Sequence, residues 1–125
     1  MRAIQIRKTG GPEVLELVEL PVPTPRAGQV LVKIEAVGVN FIDTYLREGR
    51  YPATLPFIPG QEAAGTVIAL GEGSSDFKAG DRVAWNGTRG TYAEFACAPA
   101  AALLRIPDAM AFQKAAAVLL QGITA

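Results

Sequence analysis

The sequence has no histidine and a single cysteine, Cys97, among its 125 residues. One thiol excludes an internal disulfide, and the missing imidazole removes Ser-His and Cys-His nucleophilic pairs. It also leaves carboxylates, carbonyls and water as the metal ligands, a donor set that argues against zinc or copper. Cys97 lies in the strand-like EFACAP and reads as a small apolar side chain, with no histidine to draw off its proton. Charge of one sign is lacking too. Twelve basic residues balance twelve acidic ones and neither forms a block, so no footprint for nucleic acid or an anionic membrane surface is visible. Apolar runs break at Gly, Pro or charge well short of the roughly 20 residues that span a bilayer, and MRAIQIRKTG has no apolar signal core. A cytoplasmic protein is the expectation. Phosphate-cradling loops are absent as well: LGEGSSDFKAG holds G-x-G without the third glycine and without a helix behind it, so it reads as a surface turn.

What is present is apolar enough, at half of all residues, to build one domain with a real core. MRAIQI and VLELVEL alternate with a period of two around KTGGPE, a β-hairpin pattern. PVPTPRAGQ, with three prolines at alternate positions, predicts an extended edge leading to a turn at Gly28. VLVKIEAVGVN predicts a strand with Val30, Val32, Ile34 and Ala36 on the core face and Lys33 and Glu35 on the wet one. In NFIDTYLREG the period changes, giving a helix of about two turns that starts at Asn40 or Asp43 and stops at Gly49. EAAGTVIALGEG, FKAGDRVAW and GTYAEFACAPAAALLRIP add further short strands between turns. After Pro107, AMAFQKAAAVLLQG predicts a helix capped by Asp108 and stopped by Gly122, whose Val118, Leu119 and Leu120 would await a further domain and favour self-association. The whole is mainly β with short helices, as barrels and sandwiches are.

Polar and aromatic residues gather on segments between strands: Asn40, Asp43, Tyr45, Tyr51, Gln61 and Glu62. Singly, each has a structural explanation. Asn40 and Asp43 suit a helix start, Tyr45 and Tyr51 half-buried packing, and Gln61 and Glu62 the anchoring of a turn. Glu13, Glu16 and Glu19 read as a solvated face.

Taken in order, EAVGVNFIDTYLREGRYPATLPFIPGQEAAGTVIALGEG, FKAGDRVAW and GTYAEF resemble the medium-chain dehydrogenase/reductase superfamily, and within it the zinc-independent, zeta-crystallin-like NADPH:quinone oxidoreductases. The resemblance runs from residue 1 to 125. It implies a GroES-like fold, a partly open β-barrel. In the zinc alcohol dehydrogenases of that superfamily, G-V-C-H-x-D and G-H-E carry metal ligands; the segments here are Gly38-Val39-Asn40-Phe41-Ile42-Asp43 and Gly60-Gln61-Glu62. Amides thus stand where the ligands stand, and amides hold zinc poorly. The cysteine-bearing structural-zinc loop is missing as well, with Trp85 to Gly90 as a short connection. The implied chemistry is hydride transfer from NADPH to a quinone or related conjugated carbonyl without a metal. Asn40, Tyr51 and Gln61 would be the catalytic positions, with Tyr45 and Tyr51 lining the substrate pocket. Asn40, Gln121 and Thr124 would meet the cofactor. Relatives continue into a Rossmann domain beyond the position of Ala125, so residues 1–125 are expected to be the N-terminal catalytic domain, inactive alone. Two other readings stay open: a non-catalytic GroES-like binding or assembly module, and an enoyl-thioester reductase domain.

Overall fold

The computed structural model describes residues 1–74 and 76–124, without the side chains of 119–124. Strands β1 (Arg2–Ile6) and β2 (Leu15–Glu19) form the antiparallel hairpin expected from their alternation, with Ile6 opposite Leu15 and a 3-10 turn at Pro12–Val14 between them. The remaining strands make one antiparallel sheet: β3 (Gln29–Gly38), β4 (Glu62–Leu70), β5 (Arg82–Asn86), β6 (Phe95–Pro99) and β7 (Leu104–Arg105), in the order β6-β3-β4-β5-β7. Single bridges, Ala3 to Ala93 and Ile6 to Phe57, tie the hairpin to this part of the molecule. Neither sheet closes on itself, in keeping with a partly open barrel.

Because successive side chains on a strand face opposite ways, neighbouring residues of β4 belong to different packing layers. Ala63 and Val67 join Val30, Val32, Val83, Trp85 and Ala98 in the main core. Ala64 faces the other layer, where Ala84, Ala115 and Ala116 meet. Ala115 and Ala116 come from helix α2 (Phe112–Thr124). Alanine on both sides lets the helix approach the sheet closely, and each larger aliphatic side chain buried elsewhere contributes about 1.5–3 kcal/mol. On β3, Lys33 and Glu35 are exposed as expected, but Leu31 is buried along with Val30 and Val32, so both faces of the sheet are covered at the start of this strand.

The second helix departs from its sequence pattern at both ends. Asp108 does not cap it: residues 108–110 form a turn, and the helix starts at Phe112. The cause lies on β5. The Arg82 guanidinium donates to the carbonyls of Pro107, Asp108 and Met110 at 2.9, 3.2 and 2.6 Å and lies 4.3 Å from the Phe112 ring centroid. A charged fork bonded to three carbonyls holds this stretch as a turn more firmly than a lone cap could hold it as helix. Nor does Gly122 stop the helix, which continues to Thr124; a glycine inside a helix costs only about 1 kcal/mol, which tertiary packing can offset. Val118 is exposed as expected, whereas the side chains of Leu119 and Leu120 lie outside the described residues. Strand β5 reaches Asn86 with Trp85 in the core, so the connection that replaces a metal loop begins at Gly87. Among the described residues no helix is long and apolar enough to cross a membrane.

Candidate active site at the head of the first helix

Helix α1 (Phe41–Glu48) is short enough that its ends decide it. Gly49 ends it in the left-handed region, φ 86°, its N–H reaching the carbonyl of Leu46. Asn40 precedes it in extended backbone, and its N–H donates to Asp43 Oδ2 at 3.0 Å, the carboxylate half of a capping box. Asp43 therefore braces the helix. The side chains that α1 buries are Asp43 and Leu46, whereas Phe41 is 80 % exposed. The buried face of this helix thus carries an acid, and its large aromatic points into solvent.

The register of β3 on β4 sets Gly38 opposite Glu62, so Asn40 and Gln61 emerge at the same end of the strand pair. Asn40 Nδ2 donates to Glu62 Oε1 at 3.0 Å, and Glu62 is fully buried. Gln61 is half-buried, and its carbonyl accepts the Gly87 N–H at 2.9 Å. Glu62 thus fixes the amide at the helix start, while Gln61 anchors the loop after β5 through its backbone. Tyr45 and Tyr51 meet edge to face, centroids 5.8 Å apart and planes at 79°, with the Arg50 guanidinium 5.3 Å from the Tyr45 centroid. A cleft of about 300 Å³ opens beside Val39, Asn40, Phe41 and Thr44. Gln121 and Thr124 have side chains outside the described residues.

Tyr92, in the GTYAEF segment, escaped sequence reasoning. Its hydroxyl donates to Asp43 Oδ2 at 2.8 Å, across 49 positions of chain. Both Asp43 and Tyr92 line a second cavity, of about 260 Å³, behind α1. Burial first, then the hydrogen bond and charge of Asp43, hold the Tyr92 phenol well above its ordinary value of about 10. Unfolding frees the phenol to ionise at that ordinary value while the folded chain still keeps its proton. Stability is therefore fully present below about pH 10 and falls as pH rises above it. Urea midpoints measured from about pH 8 to pH 11 should decline more steeply for the wild type than for Tyr92→Phe. Cys97 is half-buried, and burial raises its thiol, so it stays protonated as the sequence reading expects.

Residues 26–108 match the family model of the alcohol dehydrogenase GroES-like domain. The human quinone oxidoreductase is 42 % identical over 129 residues, a match that takes in 100 % of this chain and 39 % of the relative. The Pseudomonas aeruginosa quinone oxidoreductase is 45 % identical, covering 98 % of this chain and 38 % of its own. Among solved structures, the Escherichia coli quinone oxidoreductase complexed with NADPH superposes with a TM-score of 0.96 at 41 % identity, over 99 % of this chain and 39 % of that one. The chain thus spans about two fifths of the length of these relatives. With the family model matched over residues 26–108, which hold all five strands of the main sheet, the chain belongs to the alcohol dehydrogenase GroES-like domain family.

Proposed function

We propose that this chain is the substrate-side domain of an NADPH:quinone oxidoreductase that works without zinc, its nucleotide-binding part lying outside residues 1–125. The observation that carries the reading is Asn40, standing at the start of α1 with its amide bonded to buried Glu62. Neither Asn40 nor Gln61 offers a thiolate or an imidazole, so the pair does not fit zinc.

Bound NADPH supplies a hydride. Quinone, NADPH and one proton give hydroquinone and NADP⁺, so the protein has to orient a flat acceptor and let one proton reach an oxygen. Such an acceptor is electrophilic without a Lewis acid, which an alcohol substrate is not. The tyrosine pair gives it an aromatic wall with hydroxyls attached, and Phe41 and Val39 add exposed apolar surface beside Asn40. An amide N–H at a fixed place beside the acceptor oxygen stabilises charge as it develops there. In the same reading Gln121 and Thr124 meet the cofactor where α2 leaves the domain, and self-association involves the face that carries Val118. The test uses the complete enzyme, chelator-treated and checked for metal, with NADPH and p-benzoquinone. Turnover unchanged by metal removal is expected, and activity that returns only with stoichiometric zinc would overturn the reading.

A further inference from the structure

We infer that Tyr92 is a positioning residue of this site, setting the Asn40 amide from the far side of the helix start; the inference rests on the reading that Asn40 faces the acceptor. Asp43 Oδ2 accepts two donors, the Asn40 N–H at 3.0 Å and the Tyr92 hydroxyl at 2.8 Å, whereas Oδ1 is buried with no hydrogen-bond partner. The orientation of this carboxylate, itself only 4 % exposed, therefore hangs on one oxygen. Removing the phenol leaves it a single donor and frees it to turn toward one that would satisfy Oδ1. Asp43 and Glu62 both hold Asn40: its N–H donates to Asp43 Oδ2, its carbonyl accepts the Asp43 N–H at 3.0 Å, and its Nδ2 donates to Glu62. A carboxylate that turns gives up the Asn40 N–H, and the amide bonded to Glu62 loses one of the contacts that orient it.

Tyr92 is well placed to act as a fixed post. Its own N–H donates to Pro59 O at 3.0 Å and its carbonyl accepts the Ile4 N–H at 2.8 Å. The phenol thus spans from a backbone anchored to β1 and to the loop before β4, across to α1. Its raised affinity for the proton keeps it a donor throughout the neutral range. A group held this way positions another without touching the substrate, and a misplacement of about 1 Å can lower a rate by up to about a hundredfold.

The experiment compares Tyr92→Phe, Asn40→Ala and the double variant in the complete enzyme. Tyr92→Phe should lower kcat/KM for the quinone about tenfold or more. The same change made on top of Asn40→Ala should lower it no further, although the fall in Tm persists in both backgrounds. In the 125-residue chain, exchange of the Asn40 side-chain amide hydrogens, followed by NMR, should quicken in Tyr92→Phe. An equal loss of kcat/KM in both backgrounds would mean that Tyr92 acts without Asn40, and an unchanged amide exchange would mean the same. Wild-type turnover by Asn40→Ala would remove the reading on which the inference rests, and the inference with it. Should Tyr92→Phe not fold, Asp43→Asn weakens the same link from its other end and is read by the same criteria.

Discussion

Replacing Gly60 by alanine will destabilise this chain by about 2–6 kcal/mol, a large share of the 5–15 kcal/mol that holds a typical domain folded. Two effects add. Gly60 has φ +102°, where a side chain strains the backbone by about 1–3 kcal/mol. An added Cβ would also stand 2.1 Å from Thr91 Oγ1 and 2.5 Å from Tyr92 Cδ1. Neither neighbour can withdraw cheaply, because Thr91 is fully buried and β-branched and the Tyr92 ring is held at its hydroxyl by Asp43. Overpacking of this kind adds about 1–3 kcal/mol. At about 4 °C per kcal/mol for a chain of this size, Tm should fall by about 8–24 °C. Gly73 is the control: it too has positive φ, +81°, but among the described residues nothing lies within 4 Å of its added Cβ. Gly73→Ala should lose only the strain. Melts showing equal losses for the two variants would refute the steric half of the argument.

That crowding calls for glycine at position 60, and it could not be read from the sequence, since Thr91 and Tyr92 lie some thirty residues away. Features whose causes are local were legible. The hairpin, β3, the helix start at Asn40 and the stop at Gly49 follow from alternation, caps and turn residues within a few positions. Asp108 and Gly122 misled because the chain there answers to Arg82, 26 positions upstream of Asp108, and to the packing of α2. Of the candidate site, Asn40, Tyr45, Tyr51 and Gln61 could be singled out from the sequence, but not the bonds that surround them. Tyr92 looks like any aromatic in a turn until the fold brings Asp43 to its hydroxyl. Glu62 looked like an anchor for its own turn; the strand register makes it the anchor of Asn40 instead.

Glu62→Ala is therefore expected to be the second large perturbation, and Glu62→Gln a much smaller one. The side chain is fully buried and fills space that Gly38 leaves open. A Cβ on Gly38 would lie 2.5 Å from Glu62 Oε1 and 2.5 Å from the Ala116 carbonyl oxygen of α2. The carboxyl group thus sits at the junction of β3, β4 and α2. Truncation takes an acceptor away from the half-buried Asn40 Nδ2, at about 1 kcal/mol, and leaves a cavity whose walls relax only in part, at about 2–4 kcal/mol. Together these should reach about 3–5 kcal/mol, with faster hydrogen exchange along α2. Glutamine keeps the shape and a carbonyl acceptor, so most of that loss should be spared. The opposing term is the desolvation of a buried carboxylate, which removing the charge relieves. Denaturant melts decide which dominates. A glutamine variant at or above wild-type stability, beside a crippled alanine variant, would show that the site needs the acceptor and the volume and retains the charge for something other than folding. Equal losses in the two would place the stabilising role in the charge itself.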